Sequence, residues 1–238
     1  MLQLHIITPV KDSINTTIQT IDSVLQSEMT VELNYTVYND FSNEENTAEL
    51  EKIAGDGHIQ LVNLKDLTSH PSPNYLLVLQ MAQKNALSEG AHLLIIESDV
   101  VVNRNTVQTL FDLSSMLHKP ALIAAVTTDD YGSINFPYLF AMKFEKGVVN
   151  TRKRLSFCCT LITNDFLKSF SFTQLNPEKS WYDVFISHKA TELGFNNYLI
   201  THLPVLHQPH SSRPWKLLKY VNPLKYYWLK AIKKRDKI

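Results

Sequence analysis

His92-Leu93-Leu94-Ile95-Ile96-Glu97-Ser98-Asp99 opens with an uninterrupted apolar run and closes on two carboxylates. A strand buried on both faces reads as such a run, whereas a half-buried one alternates. The segment is therefore a central strand, with Glu97 and Asp99 at its C-terminal end. Upstream, Leu4 to Val10 is a short apolar strand, followed by Asp12, Ser13 or Asn15 as helix caps. A helix with Ile14, Ile18, Ile21 and Leu25 inward comes next. Leu33 to Tyr38 and Ile59 to Leu64 are further strands, with a polar helix through Glu51 between them. Tyr75 to Leu87 is helical, and Gly90 is placed to end that helix. Regular alternation of strand and helix implies an α/β domain with a mainly parallel sheet, whose ligands bind beyond the carboxyl ends of the strands.

Downstream, the alternation weakens. A helix spans Thr106 to Leu117 and a strand Ala121 to Val126. Tyr138 to Phe144 and Val148 to Asn150 flank Glu145-Lys146-Gly147 in the manner of a hairpin, and Leu155 to Thr163 adds a strand. Trp181 to Leu193 is amphipathic, with Ile186, Ala190 and Leu193 on one stripe and Gly194 as cap, before a last strand at Tyr198 to Thr201. The sheet is thus expected to be mixed. No repeat or low-complexity tract interrupts this pattern, so residues 1–210 read as one catalytic domain and 211–238 as a tail.

With 44% hydrophobic and 19% charged residues among 238, collagen-like, disordered and membrane-spanning classes are excluded. The formal charge is zero but unevenly spread. From Arg213 onward nine cations face Asp236 alone, which leaves +8 on the tail and −8 on the body. The tail interleaves lysines with Trp215, Tyr220, Tyr226, Tyr227 and Trp228, the composition of a segment lying on anionic lipid. A helix packed on the body with a solvated basic face has the same composition. Nucleic acid is not expected as a partner, because the body is acidic. Met1 to Pro9 lacks the basic and apolar regions of a secretory signal, and adjacent Cys158 and Cys159 read as reduced core residues. A cytoplasmic location, peripheral on the inner face of the membrane, is the expectation.

Four groups of residues can carry chemistry. Glu97 and Asp99 offer hard oxygen ligands for magnesium or manganese, or they solvate a strand end and cap the helix near Asn103. Asp183 is a candidate general base, or an acid favoured by a helix N-terminus. Its neighbours Trp181 and Tyr182 suit a sugar-stacking wall or a core equally well. His207, in Leu203-Pro204-Val205-Leu206-His207, can complete a metal site or meet a phosphate. Asp40, beside Thr8-Pro9, either flanks a nucleoside or serves as a turn residue.

In their order, these elements resemble the family 2 glycosyltransferases of the GT-A fold, the kind that build bacterial polysaccharides. The resemblance covers roughly residues 3–210. Ile6-Ile7-Thr8-Pro9-Val10 looks like the opening strand and Pro-Val turn, and Tyr38-Asn39-Asp40-Phe41-Ser42 looks like the Asp-Asp-x-Ser turn. Leu94-Ile95-Ile96-Glu97-Ser98-Asp99-Val100 stands in the place of the Asp-x-Asp metal motif. Trp181-Tyr182-Asp183-Val184, Gly194-Phe195, Pro204 and His207 follow the Glu-Asp helix, Gly-aromatic turn and trailing histidine. Glu97, Tyr182 and Asn39 depart from the residues usual at their positions.

The resemblance implies inverting transfer of a sugar from a nucleotide-sugar donor to a glycan or lipid-linked acceptor. Asp183 would be the base. Asp99, Glu97 and His207 would hold Mn2+ or Mg2+, Thr8, Pro9, Asp40, Glu97 and Ser98 would line the donor, and Trp181 and Tyr182 the acceptor. Two other readings stay open. A sugar-phosphate nucleotidyltransferase would carry a Gly-rich loop after the first strand, where Pro9-Val10-Lys11-Asp12-Ser13 has no glycine. A non-catalytic nucleotide-sugar or glycan-binding assembly partner is the third.

Overall fold

The computed structural model describes residues 3–31, 33–208 and 222–232. The chain divides into two compact units, 1–208 and 209–238. In the first, nine strands among the described residues form one sheet in the order β3-β2-β1-β4-β8-β6-β9-β5, with β7 also on β9. These are β1 (Leu4–Val10), β2 (Leu33–Asn39), β3 (Gln60–Asn63), β4 (His92–Ile96), β5 (Val100–Val101), β6 (Pro120–Thr128), β7 (Val148–Asn150), β8 (Cys159–Ile162) and β9 (Asn196–His207). From the pairings, β1, β2, β3, β4, β6 and β9 point the same way, and β5, β7 and β8 run against them. The sheet is therefore mixed and mainly parallel, as its sequence pattern implies.

β4 lies between β1, parallel, and β8, antiparallel, and all five of its residues are buried. Successive side chains of a strand point to opposite faces. Leu93 and Ile95 accordingly join one apolar cluster and Leu94 and Ile96 the other. The first is covered by α3 (Tyr75–Ser88), α5 (Asn164–Ser169) and α6 (Tyr182–Glu192), through Val78, Leu79, Phe166, Ile186 and Ala190. The second is covered by α1 (Ile14–Leu25), α2 (Glu44–Gly55) and α4 (Thr106–Met116), through Ile21, Val24, Leu50, Val107 and Leu110. Water is excluded from both faces, so polar chemistry is confined to the strand ends.

Several expectations need correction. α1 turns Thr17, Thr20, Ile21 and Val24 inward, while Leu25 is exposed. Its threonines tolerate burial because their hydroxyls donate to the carbonyls of Ser13 and Thr16 one turn back. Ser13 sits at the helix start in a left-handed conformation and makes no side-chain cap. Asp12, left-handed as well, instead accepts from the Asn43 amide and donates its own amide to Ser42. No hairpin forms at 138–150: Leu139–Lys143 is a 3-10 turn, with Tyr138 and Ala141 buried three residues apart, and β7 pairs with β9. Of Leu155 to Thr163, only Cys159–Ile162 is strand. Leu193, expected on the inner stripe of α6, is exposed, and Gly194 ends the helix at φ +79°. β9 runs on through Pro204 to His207, because a register shift between Ile200 and Pro204 opens the ladder where proline has no amide to give.

In the second unit, α7 (Pro223–Ile232) begins on a proline, and Asn222 caps it by accepting from the Lys225 amide. Leu224, Tyr227 and Trp228 are exposed. Residues 209–221 and 233–238, which include Trp215 and Tyr220 of the expected tail, lie outside the described residues. Among those described, no helix is long and apolar enough to cross a membrane.

If β4 is the central element, trimming it hollows the core. Ile95→Ala is expected to lower the unfolding free energy by about 2–5 kcal/mol in a chemical denaturation series. A loss within about 0.5 kcal/mol is what a surface site gives, and would contradict this placement.

Candidate active site

The six like-directed strands deliver their C-terminal ends to one rim of the sheet, and the polar residues gather there. After β4 the chain turns, with the Val100 amide donating to the Glu97 carbonyl at 3.1 Å. β5 then pairs antiparallel with the end of β9, Val100 opposite His207, and the Gln208 amide donates to the Asp99 carbonyl at 2.8 Å. This register brings together side chains 108 positions apart, since His207 Nε2 lies 3.5 Å from Asp99 Oδ2. Both are buried, at 3% and 4% exposure. His207 Nδ1 lies 2.9 Å from the Phe136 carbonyl. A carbonyl only accepts, so Nδ1 carries the proton and, in neutral imidazole, the Nε2 lone pair faces the acids.

Cys158 completes this group. β8 pairs with β4, Cys159 opposite Ile96, and the Glu97 amide donates to the Cys158 carbonyl at 2.9 Å. Cys158 Sγ then sits 3.4 Å from Glu97 Oε2. Ligand atoms of Glu97, Cys158 and His207 all lie within 4.8 Å of one another. Cys159, by contrast, is fully buried, and burial pushes its thiol up to about 12, so it stays protonated and inert.

Asp183 approaches from the other side of the rim. It is the second residue of α6, and its Oδ1 accepts from the Val184 amide at 2.9 Å. Arg154 Nη1 donates to its Oδ2 at 3.0 Å. Ser187, one turn on, donates to the Asp183 carbonyl and accepts from the Leu155 amide, which stitches the segment around Arg154 to α6. The Arg154 guanidinium also lies 5.6 Å from the Phe136 ring, on the residue whose carbonyl orients His207. Burial raises the Asp183 pKa above the ordinary 3.8, Arg154 and the Val184 amide pull it down, and the charge of Glu97 raises it again. The net shift is upward. Arg154, which holds Asp183, lies against the ring of Phe136, whose carbonyl holds His207, so this chain of contacts links the candidate base to the residues at the end of β4.

The remaining candidates divide. Thr8 is wholly buried and its hydroxyl bonds Tyr35 at 2.8 Å, while Pro9 after it is half-buried at the strand end. The Asp40 carboxylate accepts from Ser72 Oγ at 2.7 Å, from the Asn74 amide at 2.9 Å and from Asn74 Nδ2 at 2.8 Å, which pins that loop beside β1 and β2. Ser98 is buried between the two acids of the motif. Tyr182 is 7% exposed and stacks on Tyr75 at 6.4 Å, which in turn stacks on Phe157. Its ring is a wall of the core, whereas Trp181 is half-buried. Two concavities of about 420 and 480 Å3 lie at the opposite rim, around Gln3 and Glu89 and around Lys119 and Lys168, away from this chemistry.

The donor set suits a divalent cation. Carboxylate oxygens and an imidazole nitrogen whose other nitrogen is held by a carbonyl form an ordinary inner and outer ligand arrangement. His207 Nε2 has no hydrogen-bond partner among the described residues, and a buried lone pair facing carboxylates is costly unless a proton or metal ion lies between. Two participants were not legible as such beforehand. Arg154 lies in the basic run Arg152-Lys153-Arg154, which does not say which cation turns inward. Cys158 looked like core and is core, but its sulfur also borders Glu97.

Arg154 holds Asp183 in its ionised form, so Arg154→Met should move the Asp183 titration further upward. The sign follows from the shifts: the favourable charge and hydrogen bond leave, while burial and Glu97 remain. Carboxyl-carbon NMR titration of wild type and variant measures this directly, and an unchanged or lowered midpoint would contradict the pairing.

No protein-family model matches the sequence, and no curated protein matches it. Solved structures do. The chain is similar to Staphylococcus aureus TarS 1-349 in complex with UDP-GlcNAc, at 16% identity over 96% of this chain and 64% of that one, with a TM-score of 0.67. It is similar to GalNAc-T7 with UDP, GalNAc and Mn2+, at 13% identity over 87% and 44%, with a TM-score of 0.65. It is also similar to the mannosyltransferase PcManGT from Pyrobaculum calidifontis in complex with GDP-Man and Mn2+, at 12% identity over 97% and 64%, with a TM-score of 0.62. The chain thus spans between 44% and 64% of the length of these proteins. At such identities the likeness speaks for architecture alone, and the architecture is that of the GT-A glycosyltransferase fold.

Proposed function

We propose that the chain is a metal-dependent glycosyltransferase, moving a sugar from a nucleotide-sugar donor to a hydroxyl of a glycan or lipid-linked acceptor with inversion. The observation that carries this reading is the convergence of Glu97, Asp99 and His207 with Asp183 at the carboxyl rim of a GT-A sheet. The donors and Mn2+ bound to TarS, GalNAc-T7 and PcManGT support the same class of ligands here.

Glu97, Asp99 and His207 would hold Mn2+ or Mg2+, which when bound neutralises the charge that builds on a departing nucleoside diphosphate. The donor would lie along the strand ends, with its nucleoside between the Thr8-Pro9 turn and the loop that Asp40 pins, and Ser98 beneath the diphosphate. Asp40 serves there by positioning Ser72 and Asn74, since its oxygens already accept from both. Asp183 would take the acceptor hydroxyl proton as that oxygen attacks the anomeric carbon, an effect worth roughly 10²- to 10⁴-fold. Its raised pKa brings it toward the operating pH, which favours a base. In this role Arg154 is a positioning residue, keeping the carboxylate ionised and aimed. Trp181 would face the acceptor, with Tyr182 as its support from the core.

The exposed Leu224, Tyr227 and Trp228 of α7, among lysines, fit a peripheral contact with an anionic membrane, where a lipid-linked acceptor would reside. A cytoplasmic enzyme on the inner face of the membrane follows from that reading.

Asp183→Asn is expected to abolish sugar transfer while leaving nucleoside diphosphate affinity, read by thermal shift with Mn2+, within about threefold, as a group acting mainly in the transition state requires. Loss of both together would make Asp183 structural. NMR of the product reads the anomeric configuration, and retention would remove the single-displacement mechanism. For the tail, the full chain should sediment with phosphatidylserine vesicles at low salt and release at high salt. Failure to sediment at low salt removes the membrane contact.

A further inference from the structure

We propose that Cys158 is a metal ligand, and that its sulfur makes this centre select zinc and cobalt over manganese and magnesium. The inference rests on reading the rim as a cation site, and departs from the Mn2+ or Mg2+ expected there by assigning it a softer ion.

Magnesium and manganese are met by oxygen, while thiolate sulfur draws zinc and other softer ions. The group around Glu97 is not an all-oxygen set. Cys158 Sγ is 3.4 Å from Glu97 Oε2, and ligand atoms of these two and His207 fit within 4.8 Å. In a tetrahedral site with metal–ligand bonds of about 2.0 to 2.3 Å, ligand atoms stand about 3.3 to 3.7 Å apart. The Cys158–Glu97 separation already falls in that range. Asp99 Oδ2 stands 3.5 Å from His207 Nε2 but is not among the three residues whose ligand atoms gather within 4.8 Å, so it borders the site beside the imidazole.

His207 gives a second, independent indication. It is 3% exposed, its Nδ1 proton is committed to the Phe136 carbonyl, and its Nε2 has no hydrogen-bond partner among the described residues. That is the tautomer a metal-bound imidazole needs, oriented by its outer partner. The three donors are then one nitrogen, one sulfur and one oxygen, which leaves the fourth position of a tetrahedral ion to water or a bound ligand. For such mixed sets affinity rises from manganese through cobalt, and thiolate favours zinc further. On binding, the thiol proton leaves to solvent as the sulfur–metal bond forms, while the proton of His207 stays on Nδ1.

Cobalt(II) is the probe, because a thiolate ligand produces an intense near-ultraviolet charge-transfer band that oxygen and nitrogen ligands do not. Titrating Co2+ into the full chain should raise this band to stoichiometric saturation, and Zn2+ should bleach it. Cys158→Ser should lack the band, and Cys159→Ser, altering the neighbouring inert thiol, should keep it. Competition in wild type should favour Zn2+ over Mn2+ by at least about tenfold, a preference that shrinks in Cys158→Ser.

X-ray absorption at the zinc edge of the wild-type protein reads the sulfur directly, and keeps the test valid if the serine variant does not fold. Cobalt binding without the band, a band that survives Cys158→Ser, a zinc shell without sulfur, or no binding of any of these ions would each overturn the proposal. The band together with absence of sugar transfer under every cation keeps this centre and removes the transferase reading. Manganese-dependent transfer without the band does the reverse.

Discussion

Everything at the rim depends on one constraint, the complete burial of β4. A strand packed on both faces between two neighbouring strands has no water along its length, so a charge anywhere inside it would be stranded. The first place the chain can carry carboxylates is where the strand leaves the sheet. Glu97 and Asp99 occupy that place, and their position is a consequence of the same apolar run that holds the two cores together.

Local sequence does not assemble the remainder of the site. Two pairing registers do. β8 against β4 sets Cys158 beside Glu97, and β5 against β9 sets His207 beside Asp99. Each register is specified by apolar residues elsewhere in the strands, because a slip of one residue would turn a whole buried face outward. The electrostatics follow from that assembly. Asp183 is raised by burial and by Glu97, and held by Arg154, so its proton affinity belongs to the cluster and not to the helix alone.

Much of the layout was legible. The strands Leu4–Val10 and His92–Ile96 and the helix near Tyr75 show their period plainly, since each buries a continuous stripe or a whole segment, whereas the helix near Trp181 buries Ile186 and Ala190 but leaves Leu193 outside. The errors fell where local pattern and tertiary packing compete. The buried face of α1 carries threonines whose hydroxyls are satisfied within the helix, which hydropathy alone cannot anticipate. Val148–Asn150 looks like half of a hairpin, but pairs with a strand some fifty residues away. Tyr198 to Thr201 reads as a short strand, yet a register shift lets β9 continue through Pro204 and carry His207 to the rim.

By itself the sequence determined the kind of sheet, the strand at its centre and the position of two acids at that strand's end, because burial and periodicity are written in consecutive residues. Tertiary structure alone decided that His207 faces Asp99, that Cys158 borders Glu97, that Arg154 and not its neighbours clasps Asp183, and that Asp40 holds a loop. The physical reason is that contacts between residues far apart in the chain are fixed by strand register and helix docking. Those depend on the sum of many apolar contacts, not on the identity of the polar residues they bring together.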